Sequence, residues 1–168
     1  MAEAFIELTD QLIDFIHQQK IFFVATAPSD VHQTVNLSPK GYDSLRILDP
    51  KTVAYFDFPG SGNETATHIK DNGRLTMMFC SFGAKPMTVR LYGRGEVVDR
   101  KSERFQELLT QWGEDVIPWI RQLIVLRIHE ARTSCGYTVP RFEFVEERET
   151  FRRYCEANGP KGKLEKYM

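Results

Sequence analysis

Apolar residues recur at helical spacing near the start of the chain. In EAFIELTDQLIDFIHQQ, residues 3–19, Phe5, Leu8, Leu12, Phe15 and Ile16 fall along one stripe. The spacing predicts an amphipathic helix over 3–19. The period then changes. IFFVATA, from residue 21, reads as a strand that ends in the Pro-Ser-Asp turn at 28–30. In TVNLSPKG, Val35 and Leu37 alternate with Thr34, Asn36 and Ser38, which predicts a half-buried strand with a polar face. The two strands can pair as a hairpin through Pro28 to Gln33. A short strand within 41–50 reaches a turn at Asp49-Pro50-Lys51.

The chain is organised around Val53 to Phe79: VAYFDF, then PGSGNE, then TATHIKDNGR, then LTMMF. This reads strand, tight loop, short helix over 64–72, strand. The helix stops at Asn72-Gly73, with glycine available for the left-handed position. LTMMFCSF is apolar throughout, which predicts a central strand. MTVRLYGRGEVV is a long strand whose close pair, Gly93 and Gly95, predicts a bend or bulge. After Asp99, KSERFQELLTQWGE reads as a helix capped by Ser102. RQLIVLRIHEARTSCGYTV begins as a strand and runs into a small-residue bend at 133–137. FEFVEERETFRRYCEANG leads into a last helix that stops at Gly159. The tail PKGKLEKYM is charged and is expected to be solvated or loosely docked.

At least six strands joined mostly by short turns, with helices at the ends and one crossing helix, predict a β-barrel-like α+β fold. No repeat, low-complexity segment or long linker divides the sequence, so residues 1–168 are expected to form a single domain. Gly60-x-Gly62 between a strand and a helix resembles part of a dinucleotide fingerprint. It lacks the third glycine, and no regular βαβ alternation surrounds it.

Composition narrows the function classes. The formal net charge is −1, which argues against a broad nucleic-acid surface. No apolar run approaches a membrane span, and MAEAFIELTD lacks the basic start of a signal peptide. A cytoplasmic protein is the expectation. Cys80, Cys135 and Cys155 are widely spaced and suit reduced thiols. His17, His32, His68 and His129 show no metal-ligand spacing, so no metal site is expected.

The candidate chemistry begins at Pro59-Gly60-Ser61-Gly62-Asn63. The loop is small and polar and sits at a helix N-terminus, where backbone donors and the helix dipole suit a phosphate. The plainer reading is a tight turn made by Gly60 and Gly62, with Asn63 or Thr65 capping the helix.

Four segments in order, FFVATA, VNLSPKG, VAYFDFPGSGNETATHIKDNGRLTMMF and VRLYGRGEVV, resemble the pyridoxamine 5'-phosphate oxidase-like flavoproteins. SCGYTVP resembles a segment in one uncharacterised branch of that family. The likeness runs from about residue 20 to about residue 145, and it rests on order and spacing more than on any single motif. It implies an α+β, FMN-binding split β-barrel with flanking helices, a homodimer with FMN at the subunit interface, and an FMN-dependent oxidoreductase. A non-catalytic binding protein of the same fold, taking haem or F420 or carrying a vestigial pocket, is the alternative.

The resemblance carries cofactor contact onto Asn36, Ser38 and Lys40, and phosphate binding onto Ser61, Gly62, Asn63 and Thr65. Many relatives have Arg or Lys at the loop, so here the charge must come from Lys40, Arg90 or Arg46. Thr88, Arg90 and Tyr92 share the strand face that meets the flavin in the family, although a surface arginine is the plainer reading of Arg90. Cys135, Gly136 and Tyr137 are placed to close on the flavin from the partner subunit. No catalytic residue is singled out, because a flavin carries the redox chemistry itself. True pyridoxamine phosphate oxidases carry a C-terminal Arg-x-His element. The corresponding region here, PRFEFVEER, has none, so the substrate is left open.

Overall fold

The computed structural model describes residues 2–113 and 119–168. The elements in chain order are β1 (Ala4–Phe5), α1 (Asp10–His17), β2 (Phe22–Thr26), β3 (Asn36–Lys40), β4 (Leu45–Asp49), β5 (Thr52–Asp57), α2 (Glu64–Asn72), β6 (Arg74–Cys80), β7 (Thr88–Asp99), α3 (Glu103–Leu109), β8 (Gln122–Ser134) and α4 (Thr150–Asn158). The strands form one antiparallel sheet in the order β3-β2-β6-β7-β8-β5-β4, with β1 also paired to β8. The fold is an α+β split barrel, open between its two edge strands.

β7 and β8 pair along their whole length and form the spine. Their register shifts between Tyr92 and Gly93, where a side chain at Gly93 would collide with the Arg127 carbonyl. The paired glycines therefore mark the bend, because only a residue without Cβ lets the strands approach there. β6, the apolar strand, lies between β2 and β7. α2 ends at Gly73, which takes the left-handed conformation at φ 73°.

One face of the sheet builds the main core. Val24, Val53, Tyr55, Met77, Val89, Leu91, Ile124 and Leu126 are all inaccessible to solvent. α1 adds Leu12, Phe15 and Ile16, and α2 adds Ile69. The opposite face carries a smaller cluster over β5, β8 and the end of β7, where Phe56, Val98, Leu123 and Val125 pack beneath Phe105 and Trp112. Phe56 and Trp112 stack at 4.3 Å between ring centroids. Among the described residues, no helix packs on the rest of that outer face, over β3, β2, β6 and the start of β7.

Two local expectations change, and the strap and tail gain detail. Residues 3–19 do not make one helix: Ala4 and Phe5 pair with Arg132 and Ala131, and the helix starts only after Thr9, whose hydroxyl accepts from the Leu12 N–H. Backbone pairing to β8 outweighs the helical spacing of Phe5. Val35 and Leu37 are 70% and 66% exposed, so they lie on the outer face while their polar neighbours turn inward. Residues 141–148 form an extended strap ahead of α4. It is held by the Phe142 N–H donating to the Phe82 carbonyl at 3.0 Å, by the Phe82–Phe142 ring contact, and by the Tyr42 hydroxyl on the Arg148 carbonyl. The tail docks loosely through buried Leu164, while most of its other described residues are exposed; ahead of it Cys155 of α4 is buried and Gly159 lies against the Trp119 ring. Among the described residues, no helix is long and apolar enough to cross a membrane.

Candidate functional site

Strand register decides which face each candidate side chain occupies. Lys40, Ser38 and Asn36 stand opposite Phe22, Val24 and Thr26 of β2. Directly paired residues share a face, and Phe22 and Val24 belong to the main core. The three β3 residues therefore point to the inner side, at the open seam of the barrel. Asn36 and Lys40 are fixed there by bonds across the fold, and Ser38 is braced on Asn36. The Asn36 amide donates to the Thr65 hydroxyl at 2.9 Å and to Thr26 at 3.4 Å, and the Ser38 hydroxyl donates to Asn36 Oδ1 at 2.9 Å. The Thr26 hydroxyl is 3.0 Å from Nδ1 of buried His68 on α2. Lys40 Nζ reaches Asp57 Oδ1 on β5 at 3.2 Å.

Asp57 is the hub of this network. Its side chain is 5% exposed, and its second oxygen accepts from Arg121 Nη2 at 2.7 Å, from Arg121 Nε at 3.2 Å and from Gln122 Nε2 at 2.7 Å. Two cations and one carboxylate leave the cluster one positive charge in excess. Arg121 also donates to the Gly60 carbonyl at 3.2 Å and the Gly62 carbonyl at 3.0 Å. Gln122 donates to Asn63 Oδ1 at 2.9 Å. The Asn63 side chain thus makes no cap bond to α2. Glu64, in the first turn of α2, holds its carboxylate beside Gly62. That satisfies the helix dipole from within the chain.

The Tyr55 hydroxyl is buried in the same region and has no hydrogen-bond partner among the described residues. Burial, and next the negative charge of Asp57, push its pKa well above the usual tyrosine value, while the neighbouring Thr65 hydroxyl, which approaches Tyr55 without hydrogen-bond geometry, and Arg121 pull it down by less.

A second polar group lies elsewhere. Val89 and Leu91 belong to the inner core, so Thr88, Arg90 and Tyr92, which alternate with them, face outward. Thr88 and Ser134 are joined by a hydrogen bond between their hydroxyls, and Arg90 Nη1 donates to Ser134 Oγ at 3.1 Å. No carboxylate pairs with Arg90 among the described residues. Gly136 adopts φ 60° and sits against the Met87 backbone, where a Cβ would crowd it. Cys135 and Tyr137 beside it are exposed. By contrast, Cys80 is buried, and burial raises its thiol pKa against a smaller opposing pull from Arg90.

The candidate residues therefore fall into two sets. Asn36, Ser38, Lys40, Asn63 and Thr65 join through the inner seam, with Ser61 and Gly62 exposed on the loop above Arg121. Thr88, Arg90, Cys135, Gly136 and Tyr137 cluster at the outer end of β7 and β8. Two strands, β2 and β6, and the thickness of the sheet separate the sets. Arg46 belongs to neither. It pairs with Asp43 at 3.0 Å and lies over the Trp112 ring. Sequence reading missed Asp57, Arg121 and Gln122. No local signal joins them, because Arg121 lies 64 positions from its carboxylate partner. Between the strap and the barrel is a cavity of about 610 Å³, lined by Lys20, Lys40, Tyr42, Phe82, Phe142 and Phe144 among others.

A family model described as pyridoxamine 5'-phosphate oxidase matches residues 8–151. A curated relative from Aspergillus flavus, "Pyridoxamine 5'-phosphate oxidase family protein ustO", is 38% identical over 164 residues. The alignment takes in 95% of this chain and 66% of the relative, so the chain spans just under two thirds of that protein's length. Among solved structures, HupZ of Group A Streptococcus superposes with a TM-score of 0.61 at 22% identity, covering 75% of this chain and 98% of that one. An FMN-binding protein from Syntrophomonas wolfei superposes at 0.54 with 15% identity, covering 70% and 80%. At these identities the structural likeness establishes the fold.

Proposed function

The chain belongs to the pyridoxamine 5'-phosphate oxidase family, and from that premise we propose that it is an FMN-binding flavoprotein, an FMN-dependent oxidoreductase, with the flavin held between two copies of the chain. One observation carries the reading. The two sets of candidate residues lie on opposite faces of one sheet, so a single chain does not present both to one ligand. A second copy whose β7–β8 end meets the β3 edge at the open seam, with the outer face of β3 in the contact, would supply the second set.

The residues present suit such a cofactor. FMN needs cationic and hydroxyl donors for its phosphate and an apolar wall for its ring. Arg90 is a cation without a carboxylate partner, flanked by the hydroxyls of Thr88 and Ser134. The paired cations Lys40 and Arg121 lie beneath the Ser61-Gly62-Asn63 loop around Asp57, with the Glu64 carboxylate beside Gly62. Leu37 and Val35, with half-exposed Phe23 and Met78, offer apolar surface on the same outer face. In this reading Lys40, Ser61, Gly62, Asn63 and Thr65 serve the phosphate side, with Asn36 and Ser38 bracing Thr65. Thr88, Arg90, Cys135, Gly136 and Tyr137 serve from the partner. Bound FMN supplies the redox chemistry at its ring. The chain's own residues bind it, orient it and limit water around it. The strap cavity, with aromatic walls and charges of both signs from Lys20, Arg148, Glu143, Glu146 and Glu147, is space for a small-molecule substrate.

The test is the visible spectrum of the purified protein before and after adding FMN and desalting. Retained flavin bands support the reading. A red protein indicates haem, and no retained chromophore indicates a different ligand or a non-enzymatic role; either result overturns it.

A further inference from the structure

Arg121 is 9% exposed and has no role in the sheet ladder, yet its guanidinium makes four side-chain hydrogen bonds. Two go to Asp57 and two to the carbonyls of Gly60 and Gly62. Its own backbone N–H donates to the Asp57 carbonyl at 2.9 Å, which fixes the base of the side chain as well. The planar fork is thus locked at one end by a buried carboxylate and grips the loop with the other.

The grip has a geometric consequence. In a trans peptide, the carbonyl of one residue and the N–H of the next lie in one plane and point in opposite directions. Holding the Gly60 and Gly62 carbonyls toward Arg121 turns the N–H groups of Ser61 and Asn63 away from it. Neither N–H donates to another group among the described residues.

We infer that Arg121 is a positioning residue for the cofactor phosphate: anchored on Asp57, it holds the 59–63 loop by its carbonyls so that the Ser61 and Asn63 amides face outward as donors. The inference rests on the FMN reading above. It accounts for a loop without Arg or Lys of its own: the loop's shape is held from below by a residue distant in sequence, and the Ser61 and Asn63 amides are the donors, with the Glu64 carboxylate beside Gly62 as their neighbour. Lysine does not replace arginine here, since a single ammonium lacks the fork that reaches Asp57 and both carbonyls together.

The test uses two ligands that differ only in the phosphate. Apoprotein of the unsubstituted chain, of Arg121→Lys and of Arg121→Gln is titrated with FMN and with riboflavin, and flavin fluorescence is followed. The FMN dissociation constant is expected to rise about tenfold or more in both variants, the order that follows from losing one charge-assisted hydrogen bond. The riboflavin constant is expected to stay within about twofold, since the phosphate is the group being positioned. Equal weakening of both ligands would mean general support of the fold and would overturn the inference, as would unchanged FMN binding. Amide hydrogen exchange on the unsubstituted chain decides the matter if neither variant folds. Protection at Ser61 and Asn63 by FMN but not by riboflavin supports the inference, and its absence overturns it. An unsubstituted chain that binds no flavin at all removes the FMN reading and this inference with it.

Discussion

Lys40 Nζ lies 3.2 Å from Asp57 Oδ1, joining edge strand β3 to β5 across a seam that carries no backbone ladder. The two strands stand near opposite ends of the sheet order, so this contact helps close the barrel. Asp57 is also the sole carboxylate shared by Lys40 and Arg121 among the described residues. The two ends of the pair are therefore not equivalent. Replacing Asp57 with Asn leaves two cations facing each other at a largely buried position, with an expected loss of about 3–5 kcal/mol. Replacing Lys40 with Met leaves Asp57 still paired to Arg121, and Lys40 is partly exposed, so the expected loss is about 1 kcal/mol. Urea unfolding of the two variants checks the order; equal losses would refute the hub role of Asp57.

Tyr55 supplies a second prediction. A buried hydroxyl without a partner carries a desolvation penalty of about 1–3 kcal/mol. Tyr55→Phe removes that penalty and conserves shape, so the variant is expected to be as stable as the parent or more so. The pH dependence follows from the raised phenol pKa. The folded state disfavours the phenolate, so the stabilisation is complete below the unfolded tyrosine pKa of about 10 and declines as pH rises through the higher folded value. Thermal unfolding between pH 8 and 11 is expected to show an alkaline loss that is smaller in Tyr55→Phe. A larger loss in the variant would mean that the hydroxyl has a partner.

The fold was legible where local rules and tertiary contacts agree. Val53–Phe79 reads correctly because the loop, the short helix and Gly73 each carry a local signal, and the neighbouring strands are apolar enough to be central. The Gly93–Gly95 pair marks the bulge for the same reason. Reading failed where a distant partner decides. Phe5 fits a helical stripe, but Ala131 and Arg132 of β8 draw it into a strand. The alternation at Val35 to Lys40 was visible, but its direction was not, because the polar face finds Thr26, Thr65 and Asp57 at the seam. The Asp57–Arg121–Gln122 cluster has no motif. It exists only because β5 and β8 pair with Asp57 opposite Gln122.

The three thiols should separate by reactivity. Cys135 is exposed, Cys80 and Cys155 are buried, and burial raises both buried pKa values; Glu156 adds to the rise at Cys155. A thiolate is the reacting form, so one equivalent of iodoacetamide is expected to react in the folded protein at pH 8 and all three after unfolding. Peptide mapping should find the first label at Cys135. Labelling of Cys80 in the folded state would place the end of β6, paired to Thr88, in a more open state than its buried contacts describe.

The outer face of β3 gives the most direct test of the two-subunit reading. Leu37 and Val35 are large, apolar and exposed on an edge strand, beside half-exposed Phe23, Ala25 and Met78. Solitary exposed apolar residues are common, but a contiguous set on a bare sheet face is characteristic of an interface. Leu37→Lys changes a side chain with little buried area in the single chain, so the cost to folding is expected within about 0.5 kcal/mol. In a two-copy assembly, the same change places a charge in the apolar centre of the contact and is strongly unfavourable. Sedimentation of the unsubstituted protein is expected to give twice the chain mass, and of Leu37→Lys the single mass, with the circular dichroism of the fold retained. If FMN bridges the two copies, the monomeric variant also loses its flavin on desalting. A Leu37→Lys monomer that keeps its flavin would place the whole cofactor site within one chain, and Thr88 and Arg90 would then have no part in it, because they lie across the sheet from the seam.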